Sequence, residues 1–444
     1  VKRLKESVKW LYGSGDLSFS LANTSIGAFF AIFLTDTVGI QAGYASLFII
    51  IGGVWDALTD PVMGALSDRS RLKLGRRRPF ILFGALPYAF LYVLIWWQPS
   101  WLTPQTSLFY YPLILVLFQS ASTLVNMPYL ALTPELTADY DERNVLTSRR
   151  MIFSILGSLL VFSLPMMVIG EFVPENVSAI RWVGIVTAAL CFLPFFLIGL
   201  FIRETQVDHR RDNPQERAGK FPGLGESFRL ISSNRAFGWA LLLFLFSWLA
   251  VEVVQATLLY FIKYRLDMAD QSALIMGAVF VAALISLPGW EVVSARTDKR
   301  KGFIIGTSFW LAMQLLLVLF TPNTPLILIL IIGGFAGIGV GAMHVFSWSM
   351  IPDSIDVGDA KGRNQEGLYY SIVGFMRKIA SKLTVGMVLF LLELSGYEAN
   401  AVQSGSSSWA LSLLFGPLPA LFLIIAIAAA VRYPVRRESI GSGS

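Results

Sequence analysis

Apolar runs of about twenty residues, broken by short polar connections, recur along the whole chain. A helix needs about twenty apolar residues to cross a hydrocarbon core of roughly 30 Å, so each run predicts a membrane-spanning helix. Twelve spans follow from the pattern, near residues 11–34, 41–66, 79–97, 106–133, 151–172, 181–202, 237–262, 271–294, 303–321, 325–350, 368–395 and 409–431. The longest polar segment, 203–236, contains Pro, Gly and charges of both signs, and it separates six spans from six. It is too short for a domain and reads as a linker. The expected organisation is an N-terminal six-helix bundle (1–202), a linker (203–236) and a C-terminal six-helix bundle (237–440). The expected fold class is an all-α, multi-pass membrane protein.

Composition agrees with that pattern. Of 444 residues, 55% are hydrophobic and only 14% charged, whereas a soluble domain is about a quarter charged. A net charge of +6 raises the question of nucleic acid, and the positions of the basic residues answer it. Lys and Arg concentrate at both ends and in the connections after even-numbered spans, while the opposite connections hold only Arg181, Lys263 and Arg265. By the positive-inside rule both termini are expected in the cytoplasm. The basic balance is then a topology signal, and no nucleic-acid partner is expected. The single cysteine, Cys191, excludes a disulfide framework and a Cys/His metal site. No nucleophile–base pair stands out, so an enzyme is not expected. The opening VKRLKESVKW shows no cleavable signal peptide, and the final GSGS reads as a cloning remnant.

The second span carries charge where charge is costly. In GGVWDALTDPVMG (52–64), Asp56 and Asp60 are four residues apart and share a helix face. Intramembrane ionisable groups are functional candidates by default. Two close carboxylates repel unless one holds a proton or a cation sits between them, so Na⁺ and H⁺ can use the same place. The plainer alternative is an Asp cap near a helix end broken by Pro61. In the second half, GFMRKIASKL places Lys378 and Lys382 on one face and Arg377 elsewhere. Lys378 is the candidate to reach toward the aspartates or an anionic solute, whereas Arg377 and Lys382 can snorkel to an interface. Glu252 and His344 are weaker candidates, for structural pairing and for cavity lining.

Ser122–Met151 is the other informative stretch. Thr123 and Asn126 are polar positions deep in span four, and Pro128 would release a backbone carbonyl there. Arg149 and Arg150 stand at the mouth of span five. Arg150 either clamps a solute oxygen or closes a gate by pairing with Asp139 or Glu142. The connection after span two, GALSDRSRLKLGRRRPFIL, sets Asp68 near Arg76, Arg77 and Arg78 and suits a salt-bridged latch. EVVSARTDKRKGFII after span eight is its weaker echo. Parallel halves with a midplane solute site are the plan of major facilitator transporters.

The motifs YGSGD, FLTDTVGI, WDALTDPVMG, GRRRPFIL, NMPYLALTPELTADYDERN, SMIPDSID and QEGLYYSIVGFMRKIASK together resemble the glycoside–pentoside–hexuronide:cation symporters of the major facilitator superfamily. The resemblance runs nearly end to end. It implies a cation site (Na⁺ or H⁺) at Asp56, Asp60 and Thr123, with Thr59 where an Asn is usual, and a coupling lysine at Lys378. The family's sugar-binding carboxylates fall on Ser20 and Asn126, and its stacking tryptophans on Leu130 and His344, so galactoside-type binding is not carried over. WSMIPDSID and FMRKIAS are also similar to the sodium-dependent lysophosphatidylcholine symporters of the same larger group. The resemblance therefore implies cation-coupled import of a small organic solute, a glycoside, pentoside or hexuronide, with a lysophospholipid as the alternative. Solute contacts are expected from Ser20, Asn126, Arg150, His344 and Lys378, and gating from Asp68, Arg76, Arg77 and Glu142. A multi-pass monomer in a bacterial inner membrane, with no organic cofactor, is the expected setting.

Overall fold

The computed structural model describes residues 4–70, 74–137, 139–202, 234–358 and 366–435. The linker at 203–236 therefore lies almost wholly outside the described residues. So do the side chains of a few helical positions, Asp68 of the expected latch among them. The described residues are helical throughout, with no strands. In a bilayer every backbone polar group must be satisfied within the segment, which a helix alone does without an edge.

The chain divides into two compact units, Val1–Gly219 and Lys220–Ser444. The first contains α1 (Glu6–Gly13), α2 (Gly15–Ile32), α3 (Ala42–Arg69), α4 (Arg78–Ile95), α5 (Pro104–Leu136), α6 (Tyr140–Ile169) and α7 (Val177–Phe201). The second contains α8 (Arg235–Tyr260), α9 (Ser272–Arg296), α10 (Lys299–Val318), α11 (Leu326–Gly358), α12 (Glu366–Leu394), α13 (Gly405–Phe415) and α14 (Pro417–Arg432). Two short helices form the first span (α1 and α2) and two the last (α13 and α14). Eleven helical stretches among the described residues are long and apolar enough to cross a membrane. Helix α12, the eleventh predicted span, has 29 residues, ample for a bilayer at about 1.5 Å per residue. Its basic residues Arg377, Lys378 and Lys382 dilute its apolar character.

The two units repeat one plan. In the first, α3 and α4 both pack on α5, while α2 packs on α6 and α7; in the second, α9 and α10 pack on α11, while α8 packs on α12 and α14. The first span of each unit ends in a π-helical turn, Phe33–Thr37 and Phe261–Arg265. Equivalent hydrogen bonds close the two turns: Val38 N to Phe33 O (3.0 Å) and Leu266 N to Phe261 O (3.1 Å). The echoed connections also share a lock. Arg77 Nε meets Glu135 at the end of α5 at 2.8 Å, and Lys299 Nζ meets Asp353 near the end of α11 at 2.7 Å.

Lipid is as apolar as a leucine core, so polar links and close contact hold membrane helices together. In the first unit an aromatic ladder supplies both. Tyr12, Tyr129, Phe195, Tyr88, Phe118, Tyr92 and Trp96 follow one another with ring centroids 5.0 to 6.2 Å apart. Their hydroxyls tie backbone to backbone: Tyr129 Oη donates to Tyr12 O at 2.9 Å, and Tyr88 Oη to Ser18 O at 3.3 Å. In the second unit glycine permits the contact. A Cβ added at Gly337 of α11 would collide with the Val279 carbonyl oxygen of α9. Gly337→Ala should therefore lower stability by about 1–3 kcal/mol. Gly374→Ala, where nothing lies within 4 Å of the added carbon, should be neutral or mildly stabilising. Thermal unfolding of the two purified variants beside the wild type checks this; equal midpoints for all three would contradict the close packing.

Candidate functional site

Helices α3 and α5 lie side by side, and their facing polar residues converge. Thr123 Oγ1 stands 3.1 Å from Asp56 Oδ1 and 3.2 Å from Asp60 Oδ1. The Thr59 hydroxyl lies 3.5 Å from the same Thr123 oxygen. Four oxygen-bearing side chains from two helices thus meet around one point. Helical spacing places Asp56, Thr59 and Asp60 on one face of α3 (i, i+3, i+4). Thr123 is buried at 2% exposure, while Asp56, Thr59 and Asp60 are half-buried. Thr59 Oγ1 also donates to Trp55 O (3.0 Å), and Trp55 Nε1 donates to Ser120 Oγ (2.8 Å), clamping α3 to α5 beside the cluster. Pro61 does not end α3, which continues to Arg69, so the helix-end cap alternative for the aspartates does not describe this segment.

Asn126 lies one turn from Thr123, 5% exposed, and its Oδ1 has no hydrogen-bond partner among the described residues. Pro128 sits within an unbroken α5. Ser20 is taken up by helix packing: its hydroxyl donates to Ser154 O at 2.6 Å and meets Ser158 Oγ at 2.8 Å, joining α2 to α6.

Arg150 differs from both gate pairings considered. It pairs with neither Asp139 nor Glu142 but with Asp16 of α2, through Nε–Oδ2 at 2.9 Å and Nη2–Oδ1 at 3.3 Å. The fork geometry matches a guanidinium to a carboxylate. Tyr129 lies beneath it, 5.3 Å from ring centre to guanidinium carbon. Asp16 lies in the YGSGD motif, but nothing local names Arg150 as its partner, which is 134 positions away.

Asp139 instead caps α6, accepting from Glu142 N at 3.1 Å. Glu142 accepts from Leu4 N (2.7 Å) and Thr137 Oγ1 (2.8 Å) and pairs with Lys9 at 3.3 Å. Arg76 and Arg77 both reach Glu135, a partner the sequence had not suggested. Arg78 donates to the Gly199 carbonyl at 2.5 Å.

In the second unit, His344 stands edge-on to Trp248, with centroids 4.8 Å apart. Arg377 lies over the same indole at 4.7 Å. Lys378 is half-buried on α12 and has a contact of its own. Glu252, considered for structural pairing, forms no ion pair with a described residue.

Two units of one helical plan, with paired carboxylates inside a span, are features the chain shares with a known family. The MFS/sugar transport protein family matches residues 11–437. The chain belongs to this family. Among family relatives, an uncharacterized symporter of Synechocystis is 30% identical, covering 98% of this chain and 95% of that protein. Sodium-dependent lysophosphatidylcholine symporter 1-A of Danio rerio is 27% identical, covering 97% and 86%. The fold also matches the partially occluded, inward-open xylose transporter XylE of E. coli, with a TM-score of 0.68 at 14% identity, covering 97% and 98% of the two chains. The chain is thus a multi-pass major facilitator symporter and not an enzyme.

Glu142 lies outside the apolar part of its helix and offers a pH handle. Burial alone would raise its pKa, but the Thr137 hydroxyl, the Leu4 amide and the Lys9 ammonium outweigh burial and hold it below the ordinary carboxylate value. Its charged form is favoured by folding. The stability it contributes is present above the unfolded value of about 4.3 and is lost as pH falls through the lower folded value. The melting-temperature gap between wild type and Glu142→Gln should be open at neutral pH and should narrow below about pH 4. A gap that stays constant across that range would contradict it.

Proposed function

We infer that the protein couples solute import to a cation gradient by alternating access, with the ion held at Asp56, Thr59, Asp60 and Thr123. One observation carries this reading: a buried threonine hydroxyl from α5 lies within hydrogen-bond distance of two carboxylates on α3. Carboxylate and hydroxyl oxygens are hard donors, which suit a hard cation. Na⁺ is the ion the sodium-dependent relatives support, and H⁺ can occupy the same carboxylates. Lys378, in the other unit, is the coupling group, and the electrical gradient contributes about 2.3 kcal/mol per charge per 100 mV.

The solute reading supported by the sodium-dependent relatives is a lysophospholipid-like amphiphile. A glycoside or hexuronide is the second reading, favoured by the buried Asn126 acceptor, which a sugar hydroxyl would satisfy. Transport in proteoliposomes tests both. A fluorescent lysophosphatidylcholine and a radiolabelled glucuronide are offered with and without an inward Na⁺ or H⁺ gradient. One of them should accumulate against its gradient in the wild type. Asp56→Asn and Asp60→Asn should abolish accumulation, and Lys378→Ala should spoil it while leaving downhill exchange. Undiminished accumulation in both aspartate variants would sink the coupling assignment.

We also place both termini in the cytoplasm, on the strength of the Lys/Arg asymmetry, and the membrane as a bacterial inner one, on the strength of a bacterial relative. The native Cys191 is buried and does not interfere with labelling. A membrane-impermeant maleimide applied to intact cells should label Gln403→Cys, between α12 and α13, and spare Thr297→Cys, between α9 and α10. The reverse pattern would invert the topology.

A further inference from the structure

Five guanidinium groups among the described residues lie over aromatic rings: Arg149 over Trp10, Arg150 over Tyr129, Arg181 over Trp97, Arg377 over Trp248 and Arg432 over Trp239. Arg149 and Arg150 also have carboxylates, Glu6 and Asp16. Arg181 lies in the first turns of α7 and Arg432 closes α14, where a long side chain can reach the interface. Arg377 has neither kind of relief. It sits near the middle of α12, half-buried, and no described acceptor comes within its hydrogen-bond or ion-pair reach. Glu252 of α8 acts on it electrostatically from beyond ion-pair distance.

A guanidinium cannot shed its proton to escape this position. A charge inside a span is ordinarily paired or turned toward a polar pathway, and an indole face answers only part of the demand. The five N–H donors of an arginine form a planar fork that fits a carboxylate or a phosphate with two parallel hydrogen bonds. The neighbours are arranged around this fork rather than against it. Helix α8 brings Phe244, Trp248 and Glu252 to one face, and α11 brings His344 and Trp348. His344 stands edge-on to Trp248, and Phe244 stands edge-on to Trp348 at 4.8 Å, so both indoles are held in place. Trp348 is 42% exposed and stands 6.3 Å from Trp248, ring centre to ring centre. Adjacent positions on a helix diverge by about 100°, so Lys378 leaves α12 in a different direction from Arg377.

We propose that Arg377 anchors an oxyanion of the transported solute, a carboxylate or a phosphate, with Trp248 and Trp348 receiving the adjoining ring or apolar portion. The assignment rests on the transport reading above and deepens it: the solute carries a negative group.

Two matched pairs of probes test it on the purified full-length protein, with tryptophan fluorescence reporting binding. One pair is lysophosphatidylcholine and a monoacylglycerol of the same chain length; the other is 4-nitrophenyl glucuronide and 4-nitrophenyl glucoside. In the wild type the oxyanion-bearing member of one pair should bind about tenfold or more tightly than its neutral partner. The pair that shows the preference identifies the source as phosphate or carboxylate. Arg377→Gln should weaken that charged probe about 10- to 100-fold and leave its neutral partner unchanged. Arg377→Lys, which keeps the charge and loses the fork, should fall between. Equal binding of both members in each pair, no binding of either charged probe, or an unchanged preference in Arg377→Gln overturns the assignment. The wild-type comparison needs no variant, so a misfolded Arg377→Gln does not shelter it. A separate Na⁺ titration of thermal stability reports the cation site: loss of the Na⁺ response with the oxyanion preference intact would defeat the coupling reading and leave this one standing.

Discussion

A charge inside a bilayer has no water to fall back on, and this constraint organises nearly every polar feature of the protein. Breaking a buried pair by removing one partner typically costs about 3–5 kcal/mol, since the other charge is left uncompensated. The protein accordingly pairs charges at the ends of its spans across helices that are distant in sequence. Arg150 finds Asp16, Arg77 finds Glu135, and Lys299 finds Asp353. Each pair fixes the register of two helices that lipid alone would leave indifferent to one another. Within each unit the packing is thereby specified by a few polar contacts, and glycine or aromatic surfaces fill the space those contacts define.

The same constraint explains why the two halves, built to one plan, differ in chemistry. The first unit gathers carboxylates and hydroxyls at Asp56, Thr59, Asp60 and Thr123. The second sets basic and aromatic side chains at Arg377, Trp248, His344 and Trp348. Their helix pairings and π-turn endings correspond, so the backbone plan is common and the difference lies in the side chains it carries. One framework thus carries two different side-chain sets, one acidic and hydroxylic, the other basic and aromatic.

Most of the architecture was legible in the chain because hydrophobic run length is a local quantity. The spans, the division near the polar linker and the Asp56–Asp60 spacing all lie within one helix or one window. Thr123 joined them through a motif resemblance, since its distance from Asp56 along the chain is 67 residues. What escaped was long-range: Asp16, Glu135 and Asp353 lie inside the quoted motifs, but nothing local names Arg150, Arg77 and Lys299 as their partners until the fold brings them together. Ser20 looked available to a solute, yet its hydroxyl is consumed by α6. Arg377 was set aside as an interfacial residue because a sequence shows that an arginine is present, not that its partners are missing. The eleventh span shows the opposite effect, with Arg377, Lys378 and Lys382 pulling a 29-residue helix below the apolarity of its neighbours.

The hydroxyl of Thr123 has a consequence that follows from counting protons. It carries one hydrogen and two lone pairs, while two carboxylate oxygens lie at nearly equal distances, 3.1 and 3.2 Å. Its single hydrogen can be donated to only one of them at a time, and the two choices differ by a rotation about one bond. In the cation-bound state proposed above, the hydroxyl would turn to offer an oxygen lone pair instead. The same atom would then serve as placeholder when the ion is absent and as ligand when it is present. Serine keeps this exchange of roles at position 123, and valine, of nearly the same shape as threonine, abolishes it.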